Sequence, residues 1–291
     1  MFGSLKLGKF FGIDTYVHPT FWLLPLFVLF QSAGTGFANV AFNLLFVFGV
    51  FFCVALHEVG HALAARAYGI GTRNITLYPI GGVAMLERIP EKPWREIAVA
   101  LAGPAVNVVI ALAILLGVVV GGLLVPWSDA PASHPEALIG RLFIANVVLC
   151  VFNLLPAFPM DGGRVLRAAL SMRVSRLRAT ELAVKVGTVV AVGMLVAGAA
   201  LGHLMLMVVA VMVWMVGQAE LAQVRIVEAA REFEARARGM YGPGPAPAAT
   251  PLPIDTAADL AARRFSGLAW DATRGVWVQW VNGVPVRDIP A

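Results

Sequence analysis

Residues 97–128 read IAVALAGPAVNVVIALAILLGVVVGGLLVPWS, and they contain no charged side chain. A helix needs roughly 20 predominantly apolar residues to cross the hydrocarbon core of a bilayer. The uncharged run has 32 residues, so it is long enough to do so. The stretch therefore predicts a membrane-spanning helix in the middle of the chain.

The composition of the whole chain extends this conclusion. Of its 291 residues, 59% are hydrophobic and 13% are charged, and the mean hydropathy is +0.80. A typical soluble domain carries about 25% charged residues. The net charge of +5 does not indicate a nucleic-acid partner, because Lys and Arg flank the apolar segments without interleaved aromatic residues. We expect a polytopic membrane protein whose surroundings are the lipid bilayer.

The apolar segments predict an all-α polytopic membrane protein with about six transmembrane helices. They lie near residues 17–33, 39–66, 97–125, 140–157, 181–200 and 203–222. Five or seven spans are alternatives, but the charge pattern favours six. Basic residues concentrate after the second and fourth spans, whereas the opposite loops hold Asp129, Glu136 and one clear basic residue, Arg141. The positive-inside rule then places both termini in the cytoplasm. We expect the chain to lie in the inner (cytoplasmic) membrane.

Two regions outside the spans have their own patterns. Residues 72–86 alternate apolar and polar side chains on either side of a Pro-Ile-Gly-Gly turn, which predicts a short membrane-associated β-hairpin. A polar helix follows the last span, and then a Pro-rich linker. The final segment contains an Asn282-Gly283 hairpin signal. We expect a membrane core at 1–222, a helix and linker at 223–253, and a small cytoplasmic C-terminal module at 254–291.

Residues 57–61 read HEVGH, an H-E-x-x-H pattern inside the second predicted span. Residues four apart share one face of a helix, so both imidazoles can bind one metal ion while Glu58 takes a proton from the attacking water. In a soluble helix the alternative is a solvated His/Glu face. Here Glu58 is the only Asp, Glu, Lys or Arg between residues 19 and 65, and a charge inside a span is costly. The pattern therefore indicates a zinc site.

A catalytic zinc site needs a third protein ligand, and the candidate is Asp161. It lies in the segment 153–164, NLLPAFPMDGGR, and is the only Asp, Glu, Lys or Arg between residues 142 and 163. The two prolines interrupt a helix, and Gly162 and Gly163 permit unusual backbone angles, so we expect an irregular backbone to present the carboxylate. The alternative is that Asp161 caps a helix beginning at Gly162.

These two motifs together resemble the site-2 protease family of intramembrane zinc metalloproteases, over roughly residues 8–222. The resemblance implies that one zinc ion is held by His57, His61 and Asp161, with Glu58 as the catalytic base. Residues 103–107, GPAVN, resemble the G-P-x-x-N segment of the family's third span.

The family resemblance also implies an activity and partners. It implies a zinc metalloendopeptidase that cleaves transmembrane segments of membrane-anchored proteins, such as anti-sigma factors or transcription factors. It further implies that Asn153 holds the substrate or the developing oxyanion, with an interhelical hydrogen bond as the alternative. For Asn107 we expect packing. The oligomeric state and the identity of the substrate are not indicated.

The predicted hairpin suggests how a substrate is presented, since an exposed strand edge can pair with an unwound segment. Two other functions remain as alternatives. A membrane transporter would use the same buried His, Glu and Asp side chains as an ion or proton pathway, although the chain shows no paired half-repeats. A catalytically idle scaffold would not require Glu58 beside two histidines.

Overall fold

The structure, a computed structural model, describes residues 4–79, 81–88, 90, 92–120, 135–241, 266–271 and 276–290. Helices dominate it. They are α1 (Leu23–Gln31), preceded by a 3-10 turn at Pro19–Trp22, α2 (Phe37–Ala67), α3 (Pro93–Val120), α4 (Pro135–Asn153), α5 (Asp161–Ser171), α6 (Arg176–Leu201) and α7 (Leu204–Tyr241). The strands are β1 (Leu5–Phe10), β2 (Ile13–Val17), β3 (Thr72–Tyr78), β4 (Gly81–Leu86), β5 (Gly267–Asp271), β6 (Val276–Val281) and β7 (Val284–Pro290).

Four helices among the described residues are long and apolar enough to cross a membrane: α2, α3, α6 and the Leu204–Phe233 part of α7. Two further apolar helices, Pro19–Gln31 and Ala137–Asn153, coincide with the predicted first and fourth spans. Both fall short of the roughly 20 residues that a straight crossing needs. Length and composition therefore support four spans and leave the predicted six unconfirmed.

The outer faces of these helices are apolar. Phe30 and Phe37 are 82% and 88% exposed, and Val189 and Met205 are 72% and 74% exposed. Soluble proteins rarely leave contiguous apolar surface of this kind in water. Lipid is the solvent that matches it, and the chain is a multi-pass membrane protein.

Helix α7 covers a region for which the sequence predicted two separate helices. The predicted sixth span ended near residue 222, and a separate polar helix followed it. The structure has one helix through both. The composition changes from apolar to charged along this helix, which changes its surroundings. No residue between the apolar part and the charged part breaks the helical backbone.

The predicted hairpin exists as β3 and β4, but it belongs to a larger sheet. Four strands pair in the order β1-β2-β3-β4, with antiparallel pairs at both sides and a parallel pair between β2 and β3. Buried Ile13 and Val17 of β2 and Ile75 and Leu77 of β3 pack with apolar side chains of α2. The expectation of an isolated hairpin was thus incomplete, and the sheet is anchored on the helix that contains the HEVGH pattern.

Helices α2 and α3 approach closely behind that pattern. A Cβ atom on Gly60 would lie 2.7 Å from Cγ2 of Val106 and 2.8 Å from the carbonyl oxygen of Ala102. Neither distance is compatible with a side chain at this position. The glycine therefore sets the small separation between the two helices.

Helix α5 returns Asp161 to this region after the segment that follows α4. The segment 154–160 is irregular, as its two prolines predicted, but Asp161 itself is the first residue of α5, and Gly162 and Gly163 are helical without positive φ. The glycines instead permit close packing. A Cβ on Gly163 would lie 2.7 Å from the carbonyl carbon of Ala157.

The chain forms two compact units, Met1–Glu228 and Ala229–Ala291. The second contains the antiparallel sheet β5-β6-β7. Asn282 and Gly283 join β6 to β7 with φ of 51° and 81°, so the predicted Asn-Gly hairpin is confirmed. The predicted Pro-rich linker lies outside the described residues, and the limits 1–222, 223–253 and 254–291 stay predictions.

Candidate metal centre

His57 and His61 lie one helical turn apart on α2, and both are buried. Their Nε2 atoms are 3.0 Å apart, and the rings meet edge to face. The four-residue spacing on a continuous helix places both imidazoles on one face, as the pattern predicted.

The opposite ring nitrogens contact oxygen atoms of α3. Nδ1 of His61 lies 2.7 Å from the carbonyl oxygen of Val99, and Nδ1 of His57 lies 2.6 Å from Oδ1 of Asn107. These oxygens only accept hydrogen bonds, so each Nδ1 donates a proton. Each Nε2 therefore keeps a lone pair, which is the form that binds a metal.

The Asp161 carboxylate completes a triangle with the two imidazoles. Its Oδ2 lies 3.2 Å from Nε2 of His57 and 3.2 Å from Nε2 of His61. Asp161 is buried, and Oδ2 has no hydrogen-bond donor within the described part of the chain. The capping alternative does not fit, since the helix is preceded by Met160 and no side chain caps it.

Three lone-pair atoms this close repel one another unless a cation lies between them. Ligands at about 2.0–2.1 Å from a tetrahedral zinc are roughly 3.3 Å apart. The observed separations of 3.0 to 3.2 Å fit that arrangement. Helix α3 leaves room for the ion at Gly103, where a Cβ would lie 2.6 Å from Nε2 of His57. The residues present therefore fit zinc, and His57, His61 and Asp161 form a buried group that could hold the ion.

Glu58 lies beside this triangle and contacts the sheet. Its Oε2 accepts a 3.0 Å hydrogen bond from the backbone N–H of Ala84 in β4. Gly82 of the same strand allows the approach, since a Cβ there would lie 2.5 Å from Cγ of Glu58. The Glu58 carboxylate, next in sequence to His57, is thus held against the last strand of the sheet.

Asn153 and Asn107 both differ from what the sequence predicted. Asn153 donates to the carbonyl oxygen of Leu149 in its own helix, so its described hydrogen bond is neither interhelical nor directed at the ligands. Asn107, for which packing was expected, is fully buried and hydrogen-bonded to His57. The G-P-x-x-N spacing was the signal that pointed to it.

The sequence analysis did not predict a cluster of ion pairs around Arg167. Arg167 of α5 contacts Oε1 of Glu96 at 2.6 Å and also pairs with Glu220 of α7. Arg176 of α6 contacts the other oxygen of Glu96 at 3.3 Å. The sequence placed these arginines in a cytoplasmic loop, but Arg167 is only 3% exposed. Their partners are 53 or more residues away in the sequence, so no local pattern predicts the pairing.

Comparison with known proteins agrees with this geometry. The profile described as Peptidase family M50 matches residues 45–125 and 120–197, which is more than half of the chain. The chain belongs to Peptidase family M50. The matched residues include His57, Glu58, His61 and Asp161.

The chain is also similar in sequence to individual proteins. A zinc metalloprotease of Methanocaldococcus jannaschii is 35% identical over 246 residues, covering 83% of this chain and 67% of the relative. Stage IV sporulation protein FB of Bacillus subtilis is 28% identical over 175 residues, covering 60% of this chain and 53% of that protein. The chain thus aligns with about half to two thirds of the length of these relatives.

A solved structure extends the likeness to the fold. The site-2 protease from Methanocaldococcus jannaschii matches with a TM-score of 0.56 and 33% identity, over 75% of this chain and 95% of that one. The chain is accordingly a membrane zinc metalloprotease, and zinc is its cofactor. Nothing in the comparisons supports the transporter alternative.

Proposed function

We propose that this chain cleaves transmembrane segments of membrane-anchored proteins, with His57, His61 and Asp161 as zinc ligands and Glu58 as the general base. The observation that carries the proposal is the convergence of three buried lone-pair atoms next to a carboxylate that lies against a strand. When bound there, zinc supplies Lewis acidity, polarising the scissile carbonyl and lowering the pKa of water.

Glu58 is suited to move a proton in this arrangement. It lies on the same helix as the two histidines, and the Ala84 N–H holds one carboxylate oxygen. The other oxygen remains to accept a proton from the attacking water and to pass it to the leaving amine. Asn153 is proposed to hold the substrate backbone or the developing oxyanion through its amide.

Strand β4 offers a place for the substrate. It ends the sheet, with β3 on one side and Glu58 next to its other side. A transmembrane helix hides its peptide groups in intrahelical hydrogen bonds, so it must be unwound before attack. An unwound segment that pairs with the outer side of β4 would lie extended beside the base.

The remaining features of the proposal concern placement and partners. Six spans, with the two short helices tilted or shielded by their neighbours, would place both termini in the cytoplasm of a cell with an inner membrane. Membrane-anchored anti-sigma or transcription factors are the proposed substrates. Reporter fusions at residue 132 and at the C-terminus should then give opposite readouts, and identical readouts would contradict the six-span arrangement.

The decisive experiment separates metal binding from base catalysis. Glu58→Gln keeps the side-chain shape but loses the base, so we expect stoichiometric zinc with cleavage of a model span reduced by about 10²- to 10⁴-fold. Glu181→Gln, a carboxylate of α6 paired with Arg225, serves as the matched control and should leave both unchanged. Wild-type activity in Glu58→Gln would remove Glu58 from the mechanism. Zinc binding by the wild-type chain without any proteolysis would contradict the proposed function.

A further inference from the structure

A buried chain of hydrogen bonds extends from His57 through α3 into α4. Asn107 Oδ1 contacts His57 Nδ1, and Asn107 Nδ2 donates to Oδ1 of Asn146 at 3.2 Å. Asn146 Nδ2 then donates to the carbonyl oxygen of Leu142 at 2.8 Å and to Sγ of Cys53 at 3.3 Å. Both asparagines are completely buried, with an exposure of 0%.

The donor and acceptor roles in this series of hydrogen bonds are set at Asn146, the residue farthest from His57. A backbone carbonyl only accepts, so the amide group of Asn146 that faces Leu142 must be Nδ2. Oδ1 of Asn146 therefore faces Asn107 and requires a donor there, which can only be Nδ2. Asn107 must then turn its Oδ1 toward His57, and His57 must carry its proton on Nδ1.

The reverse orientation would be incompatible with the metal site. If Asn107 turned Nδ2 toward His57, Nδ1 would have to accept and the proton would move to Nε2. Nε2 would then have no lone pair to offer, although it is the atom that faces His61 and Asp161. Asn107 alone can hydrogen-bond to His57 in either orientation, so it does not select one by itself.

We propose that Asn146 is a positioning residue, which sets the orientation of Asn107 and thereby holds His57 in the tautomer that binds zinc. The proposal rests on His57 being a zinc ligand, as proposed above. Asn146 does not touch the ligands and acts only through Asn107. The series of hydrogen bonds from the Leu142 carbonyl through Asn146 and Asn107 to His57 is called the relay. Its fixed end is the Leu142 carbonyl, a backbone group that can only accept.

Two variants of similar size separate this role from packing. Asn146→Leu removes the hydrogen bonds to Asn107, Leu142 and Cys53. Asn146→Asp keeps an acceptor for Asn107 Nδ2, and its neutral form, which burial favours, also donates to the Leu142 carbonyl. We therefore expect Asn146→Leu to weaken zinc binding by roughly 2- to 10-fold, because only a fraction of the molecules keeps the competent tautomer. Asn146→Asp should stay within about 2-fold of wild type by the same reasoning.

A matched control tests for general loss of a buried polar bond. Thr180 of α6 is fully buried and donates to the carbonyl of Arg176 four residues earlier, the same local bond that Asn146 makes to Leu142. Thr180→Val is nearly isosteric and removes that bond away from the metal site. Its zinc affinity should equal that of the wild type.

The sharpest measurement is a double-mutant cycle on zinc affinity, by chelator competition with the full-length chain in detergent. Asn107→Leu should cost about 10- to 100-fold. Adding Asn146→Leu to it should cost almost nothing more, because the residue through which Asn146 acts is gone. If the losses of zinc affinity in the two single variants multiplied in the double variant, the proposed role of Asn146 would be wrong.

A spectroscopic measurement reports the tautomer directly and does not depend on activity. The chain has five histidines, so ¹⁵N-histidine labelling of the metal-free protein gives few signals. His57 should be protonated at Nδ1 in the wild type and in Asn146→Asp, and should become a mixture of tautomers in Asn146→Leu. An unchanged Nδ1–H signal with unchanged zinc affinity in folded Asn146→Leu would overturn the inference. Wild-type zinc affinity in His57→Ala would instead overturn the proposed function, so the two failures are distinguishable.

Discussion

Two residues of α5, Asp161 and Arg167, belong to carboxylate sites that differ in how their charges are compensated. At the N-terminus of α5, Asp161 faces His57 and His61 and has no cationic side chain against Oδ2 within the described residues. Two turns later, Arg167 draws together the carboxylates of Glu96 and Glu220, and Arg176 joins them. Among the described residues no Lys or Arg side chain pairs with the Asp161 carboxylate, whereas two arginines pair with the carboxylates of the other site.

The difference assigns a function to each site. A buried carboxylate is unfavourable without a compensating charge, and among the described residues the side chains paired with Asp161 are the two imidazoles, so a bound cation would stabilise this site. The cluster at Arg167 compensates its charges with side chains of α3, α5, α6 and α7, and it links α5, which carries Asp161, to the other three helices. These are the features of a candidate metal-binding site at Asp161 and of a structural junction at Arg167.

The largest expected effect comes from neutralising the carboxylate at the first site. Asp161→Asn should lose nearly all bound zinc and all proteolytic activity, because one of three protein ligands is gone. The fold should persist, since the variant removes a buried charge with which no Lys or Arg side chain pairs among the described residues. Metal analysis of the folded, detergent-solubilised variant decides it, and stoichiometric, tightly held zinc would defeat the ligand assignment.

The equivalent change at the second site should do the reverse. Glu96→Gln leaves Arg167 and Arg176 facing an amide, so we expect a loss of about 3–5 kcal/mol in the free energy of unfolding. The folded fraction should still bind one zinc ion. Unfolding in mixed detergent micelles measures the first quantity. If Glu96→Gln were as stable as the wild type but free of zinc, the division between the two sites would be wrong.

The smallest effect is expected at the edge of the junction. The Glu220 side chain is 29% exposed, and Arg167 retains Glu96 when this partner is lost. Glu220→Gln should therefore cost no more than about 1 kcal/mol of unfolding free energy. A loss equal to that of Glu96→Gln, measured in the same micelles, would show that the two carboxylates act as one unit.

The local patterns in the sequence were sufficient for several elements. The HEVGH spacing placed two imidazoles on one helix face, and the alternation around Pro79 predicted β3 and β4. Asn282-Gly283 predicted the turn between β6 and β7. Each depends only on residues within one helical turn or one hairpin.

Other features could not be predicted because their partners are distant in the chain. The parallel pairing of β2 with β3 joins segments about 60 residues apart, from Thr15 to Ile75. The role of Gly162 and Gly163 depends on contact with the preceding loop rather than on backbone angles. The four spans are supported by their length, but the short α1 and α4 leave the count of six unsettled by length and composition.

By itself, the sequence determined the membrane environment, the identity of the candidate metal ligands and the presence of a candidate base. These follow from composition and from a charge that a membrane span tolerates only for a function. Only the tertiary structure decided that Asp161 reaches both imidazoles, that Glu58 rests on β4, and that Arg167 is buried in a junction instead of a loop. The physical reason is that lone-pair direction, helix separation and charge compensation are properties of side chains brought together from different helices, and no single segment contains them.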